Sequence, residues 1–293
     1  MKQKAFDNVH LQSFATGTNS VNDMTFDFSR INKKFYHQVV NALKKYGINH
    51  IQSLGFSLDL YYESYKSEFP TFKPERITKI VRSAKPKKEP TILAESCFRK
   101  IPQVIDNLLL AIDFILKNTK TLESLTLRSF QLSKSQIEML SQSLESNSTI
   151  KKLKLDNCTI FDEGFSTIIR SLHHEGLKTF ICNNCGVTDI SIEDIKSYLS
   201  YQVSLQREAE WKASLEIDGI VSTICLTTLN LQSNHFSIRL LMEIADILAD
   251  LPLTLLDIRN NQQMDERIVL NIRKNIPHVA IRTKNISQRR GSK

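Results

Sequence analysis

A chain of 293 residues with 41% hydrophobic and 24% charged residues, and only 8 glycines and 7 prolines, is composed to form a packed core. That composition excludes collagen-like, low-complexity and linker-like polymers. A formal charge of +8 with a pI near 9.2 favours polyanions, without choosing among nucleic acid, anionic lipid and acidic protein segments. The five cysteines are an odd number, and Met1 to Asp7 begins no unbroken apolar stretch. The chain therefore reads as free of a disulfide framework, a signal peptide and a membrane span, and as soluble in a reducing compartment.

Taken in chain order, residues 1–23 read as a flexible N-terminal segment, and Met24 to Phe56 as a degenerate first unit. That unit should hold a helix near Asn32 to Lys45 and a strand near Ile48 to Phe56. Residues 57–95 interrupt it. Within them Phe72 to Pro90, with its prolines and mixed charges, reads as a loop, and Lys85-Pro86-Lys87-Lys88 as a solvated basic run within it. Ile101, Val104, Leu108 and Ile112 then carry the stripe of a helix.

The middle of the chain repeats the pattern L-x-x-L-x-L-x-x-(N/C)-x-L. Leu122, Leu125, Leu127, Phe130 and Leu132 form one copy; Ile150, Leu153, Leu155, Cys158 and Ile160 the next; Leu177, Phe180, Cys182, Cys185 and Val187 the third. They start 28 and then 27 residues apart, long enough for a full helix in each unit. Leu226, Leu229, Leu231, Asn234 and Phe236 resume the pattern after 49 residues, and Leu253, Leu256, Ile258 and Asn261 follow 27 later. About twenty-one residues are thus inserted after the third regular copy, so insertions are expected near 57–95 and 200–220.

Helical stripes follow the strands: Ile137, Leu140 and Leu144; Phe165, Ile168 and Leu172; Leu241, Ile244 and Leu248; and Val269, Ile272 and Ile276 in a capping unit. No unit can bury its apolar side alone, so strands must stack into one parallel sheet with helices behind it. The fold expected over residues 24–280 is an α/β leucine-rich-repeat solenoid of the ribonuclease-inhibitor-like type, with parallel strands on the concave face, helices on the convex face and a basic tail at 281–293. Alternation along the strands leaves Ser124, Thr126 and Arg128, then Lys152, Lys154 and Asp156, on the concave face. Thr179, Ile181 and Asn183; Thr228, Asn230 and Gln232; and Leu255, Asp257 and Arg259 continue this polar, weakly basic surface.

Chemistry is hard to find. Cys182-Asn183-Asn184-Cys185 has zinc-knuckle spacing, but a structural site needs about four ligands and no second pair accompanies it. The repeat register explains it better, with Cys158 and Cys185 at the Asn/Cys position and Cys182 at a buried leucine position. His173-His174 reads as a terminal cap or solvated pair. No glycine-rich phosphate loop, nucleophile set or paired acidic motif stands in a recognisable context, so no enzyme activity, metal, cofactor or small-molecule substrate is expected.

Ile192 to Leu215 contains neither Gly nor Pro and should be one long helix. Ile195 and Leu199 continue the core stripe, whereas Trp211 lies about 160° round the helix from Ile195, with Leu215 on its side. That second face either folds back to seal the gap in the array or forms a partner-binding ridge anchored by Trp211. Sealing is preferred, because an exposed Trp and Leu pair is a liability unless function needs it.

Tyr198-Leu199-Ser200-Tyr201-Gln202 and Arg207-Glu208-Ala209-Glu210-Trp211-Lys212-Ala213-Ser214-Leu215 resemble the equivalent interruption in the family of the centrosomal protein of 78 kDa, leucine-rich-repeat proteins of centrioles and cilia. Leu253-Thr254-Leu255-Leu256-Asp257-Ile258-Arg259-Asn260-Asn261 and the order of units resemble that family too, over about residues 20 to 280. The resemblance implies a cytoplasmic, cytoskeletal protein at the centriole, basal body or cilium, acting in cilium assembly and touching ubiquitin-ligase machinery. The expectation is a non-enzymatic scaffold that holds proteins through Arg128, Lys152, Lys154, Asp156, Asp257 and Arg259, with Trp211 and Leu215 as a second contact. Acidic partners such as tubulin tails suit its charge. Nucleic acid is not expected, since only net charge and the Lys85 to Lys88 run favour it. The alternatives are a regulator of another enzyme, of the GTPase-activating or ubiquitin-ligase-adaptor type, and a structural axonemal protein.

Overall fold

The computed structural model describes residues 23–27, 33–58, 102–173, 176–215, 224–262 and 264–283. Strands and helices alternate along them. β1 (Asp23–Asp27), α1 (Lys33–His50), β2 (Ser53–Ser57) and α2 (Pro102–Asn118) come first. β3 (Ser124–Arg128), α3 (Lys134–Glu145), β4 (Lys152–Asp156), α4 (Phe161–Ser171) and β5 (Thr179–Asn183) follow. A short 3-10 turn at Asp189–Ser191 leads into α5 (Ile192–Ser214). β6 (Thr228–Asn230), α6 (Ile238–Ala249), β7 (Leu255–Asp257), α7 (Glu266–Asn275) and β8 (Ala280–Arg282) complete the order. The strands form one eight-stranded parallel sheet in chain order, a solenoid-like α/β arrangement.

The register follows the apolar spacing. Leu54, Leu125, Leu153, Phe180, Leu229, Leu256 and Ile281 pair in one row, and Phe56, Leu127, Leu155 and Cys182 in the next. All are buried against the helical stripes of Leu108, Ile112, Leu140, Leu144, Phe165, Ile168, Leu241 and Ile244. Each fully buried leucine contributes about 1.5–3 kcal/mol relative to exposure, which is why a strand of three to five residues suffices.

A seam of donors stitches the units where the strands end. Cys158 Sγ donates to Leu127 O at 3.4 Å and Cys185 Sγ to Leu155 O at 3.6 Å. Asn234 Nδ2 donates to Cys182 O at 2.7 Å, and Asn261 Nδ2 to Leu231 O at 2.9 Å. Each reaches the preceding strand at the same place, so an asparagine or a neutral thiol serves there and a buried leucine does not. Just before this seam Ser129, Asn157, Asn184, Ser233 and Asn260 all adopt positive φ, the region that Asn tolerates best among non-glycines. Asn157 and Asn184 donate to the preceding turn at 3.0 and 2.8 Å, so the strained turns support one another.

Two local expectations shift. The first helix does not stop near Lys45 but runs through His50, so the strand begins at Ser53 rather than Ile48. The end of the longer helix is held by Thr119 Oγ1, which donates to Ile48 O at 3.0 Å. The inserted helix spans Ile192–Ser214, and Trp211 and Leu215 do not seal the array. Residues 1–22, most of the 57–95 insertion with Lys85 to Lys88, Cys97, His174, part of the 200–220 insertion (216–223), and the tail from 284 lie outside the described residues.

Candidate functional site

The sheet face opposite the helices is where the alternating side chains emerge. On β3, β4 and β5 the first, third and fifth residues are half-buried or exposed while the second and fourth are buried. The row Arg128, Asp156, Asn183 and the row Thr126, Lys154, Ile181 run across it.

The structure brings four predicted residues together around β4. Lys154 Nζ lies 3.3 Å and Arg128 Nε 3.7 Å from the same oxygen of Asp156, so one carboxylate faces two cations. Lys152 sits exposed at the start of the same strand, beside Lys151, which is paired with Glu123 at 2.5 Å. The next cation along this edge, Lys178, has its pKa lowered by burial, with Lys151 adding to the effect, although the Cys225 thiol opposes it. Arg128, Lys152 and Lys154 thus stand with the Asp156 carboxylate on the sheet face opposite the described helices.

Asp257 and Arg259 are placed apart from this group and differently used. Asp257 is 1% exposed, and the Arg259 guanidinium closes over it, with Nε 2.8 Å from Oδ1 and Nη2 2.6 Å from Oδ2. That hydrogen bonding holds the Arg259 pKa above its ordinary value. The pair satisfies itself, so Arg259 offers less charge to a partner than its position in the sequence suggests.

Trp211 and Leu215 stand on the last turns of α5 at 62% and 66% exposure. The face of α5 that does close the array is polar: Gln202 Oε1 accepts from Leu226 N at 2.9 Å and Gln206 Oε1 from Ile224 N at 3.4 Å, beneath buried Tyr198, Leu199 and Val203. A glutamine can receive the backbone of the returning chain, which an indole facing outward cannot.

Cys158, Cys182, Cys185 and Cys225 are free and buried. Burial pushes the Cys158 and Cys185 thiols well above the ordinary range, so both stay protonated and donate in the seam. Among the described residues no group of three or more His, Cys, Asp and Glu side chains is placed to hold a metal ion. His173 is exposed and lies against Tyr201, ring centroids 4.7 Å apart and tilted by 58°. No described helix is long and apolar enough to cross a membrane.

Sequence reasoning passed over one surface residue. Phe161 is 60% exposed, has φ of 53° and lies against Gly186, whose added Cβ would meet the ring at 2.8 Å. The signal was present in the repeat register: Ser133, Thr188 and Ser237 share its position, and each caps the helical turn that follows it. Compared with known proteins, the chain matches no family model and no curated protein.

Proposed function

We propose that this chain is a ribonuclease-inhibitor-like leucine-rich-repeat protein that binds acidic segments of other proteins on its open sheet face and performs no chemistry on them. The observation that carries this reading is the pair of lysines on β4, exposed Lys152 and half-buried Lys154, grouped with Arg128 and Asp156 on one sheet face. A parallel sheet face with cations on adjacent strands is a complementary surface for an extended acidic chain, and such charges govern encounter and specificity. The exposed Trp211 and Leu215 supply a second contact, of the aromatic kind that anchors interfaces.

The resemblance of the inserted helix and the closing unit to the family of the centrosomal protein of 78 kDa supports a place at the centriole, basal body or cilium. There the acidic partners would include tubulin tails, and ubiquitin-ligase components would be further partners. The test is localisation of the tagged chain in ciliated cells beside a variant carrying Arg128→Glu, Lys152→Glu and Lys154→Glu. Centriolar or ciliary enrichment that the triple variant loses is expected. A diffuse distribution of the unaltered chain would sink the cellular assignment, and full retention by the triple variant would sink the role of this face.

A further inference from the structure

β8 is an edge strand: among the described residues it pairs with β7 on one side and with no strand on the other. Such an edge presents peptide N–H and C=O groups on which another chain can build. Two bonds fix which groups those are. Ala280 N donates to Thr254 O and Arg282 O accepts from Ile258 N, both at 2.9 Å, so the peptide groups of Ala280 and Arg282 face β7. Successive residues of a strand turn these groups to opposite sides, so the N–H and C=O of Ile281 point away from the sheet. Of the three residues of β8, Ile281 alone faces outward.

That outward carbonyl is taken. Arg273, in the last turn of α7, donates from Nη2 to Ile281 O at 2.6 Å. A hydrogen bond from a charged donor is roughly twice as strong as a neutral one. Earlier units do not use this position in the same way. Eight residues before the second residue of β3, β4, β5 and β7 stand Lys117, Glu145, Leu172 and Leu248. Lys117 pairs with Asp113 at 2.8 Å, Glu145 is exposed, and the two leucines are buried. In those units the next strand occupies the outward side, and no side chain is needed there. The arginine directed at its own strand coincides with the described unit that has no successor.

The bond is not what holds the last unit to the array. β8 is hydrogen-bonded to β7, His278 Nε2 lies 3.1 Å from both Leu248 O and Leu251 O at the end of α6, and Val269, Ile272, Ile276 and Val279 are buried in the common core. All of these attachments look back toward the preceding unit. Arg273 acts on the opposite side, where it governs what can approach. A chain adding itself to β8 needs Ile281 O as an acceptor, and to gain it must displace a half-buried guanidinium from its partner.

We propose that Arg273 closes the free edge of the sheet, its bond to Ile281 O keeping a second copy of this chain from adding a strand to β8. Two like edges meeting about a two-fold axis would give a dimer, and β8 meeting the far edge of another copy would give chains that do not close. Both are forms that the closed edge prevents.

Sedimentation velocity of the full chain over about a hundredfold range of concentration tests this. The parent should stay monomeric, and so should Arg273→Lys, which keeps a charged donor on a long stem. Arg273→Met keeps the stem and loses the donor. It should associate, with a dissociation constant at least about tenfold below the parent's, as loss of one charge-assisted hydrogen bond implies. Methionine is as good a helix former as arginine, so this variant should unfold in urea with the parent. Lys274→Met removes the same charge from the neighbouring exposed side chain and should remain monomeric.

Hydrogen exchange locates the contact: the Ile281 amide should become protected as the concentration of Arg273→Met rises. An Arg273→Met chain that stays monomeric throughout would overturn the proposal, as would a parent that associates equally well. Equal association of Lys274→Met would assign the effect to net charge, and association without protection of Ile281 would place the contact elsewhere; in either case the proposal falls.

Discussion

β4 and β7 carry the same two charges at the same two places in opposite order, and the outcome differs. On β4 the cation, Lys154, is in mid-strand and the acid, Asp156, is at the strand end. On β7 the acid, Asp257, is in the row of Lys154, and Arg259 lies just past the strand in the row of Asp156. A short carboxylate two residues before a long arginine can be covered by it, and Asp257 is buried under a forked set of bonds at 2.6 to 3.1 Å. Asp156, which follows its lysine instead, stays half-open, with looser approaches of 3.3 and 3.7 Å from two cations. Charge order along a strand therefore decides whether a pair becomes part of the fold or part of a surface offered to others.

The most direct way to break that contrast is to remove each acid. Asp257→Ala should lower unfolding stability by about 3 kcal/mol, because it uncouples a buried ion pair and leaves the guanidinium without its acceptor. Asp156→Ala should cost under about 1 kcal/mol, since its partners remain within reach of water. Urea unfolding of the two variants measures both. Equal losses would show that charge order does not separate the two pairs.

The covered side of the sheet sharpens the contrast through pH. Cys158 and Cys185 are raised in the folded state above the ordinary value of 9.0 by burial. A thiol whose folded pKa is raised contributes stability that is complete below pH 9 and is lost above it, as the unfolded chain releases the proton first. Each should cost on the order of 1 kcal/mol by pH 10. The slope of stability against pH above 9 should therefore shrink in Cys158→Ser, whose hydroxyl does not ionise in this range. An unchanged slope would place the thiol in contact with solvent.

The sequence discloses the sheet more fully than the surface because its information is periodic. Leu125, Leu153, Phe180, Leu229 and Leu256 are spaced by one unit each, apart from the insertion, and that spacing is the register. Ile48 misleads because an isoleucine three residues before Ile51 suits the end of a buried helix as well as the start of a strand. Arg128, Lys152 and Lys154 are legible as neighbours for the same periodic reason. The burial of Asp257 is not, since it depends on which way the Arg259 side chain folds. Phe161 was readable as a break in the capping column.

The two faces of α5 give the most discriminating pair of effects. Gln202 is buried on the side that receives the returning chain, and its Oε1 is the acceptor for the buried Leu226 amide. Gln202→Ala leaves that amide unpaired and opens a small void, which should cost about 2 kcal/mol. Trp211 sits two and a half turns further along the helix, with most of its surface in water. Trp211→Ala removes little buried area and replaces an aromatic residue by the best helix former, so stability should change by less than about 0.5 kcal/mol. Its fluorescence, the only tryptophan signal in the chain, should be red-shifted and readily quenched by acrylamide in the folded parent. A blue-shifted, protected emission or a loss above about 2 kcal/mol in Trp211→Ala would mean that the indole closes the array after all. The expected result leaves Trp211 as a residue whose cost of exposure is repaid only outside the fold, in contact with another molecule.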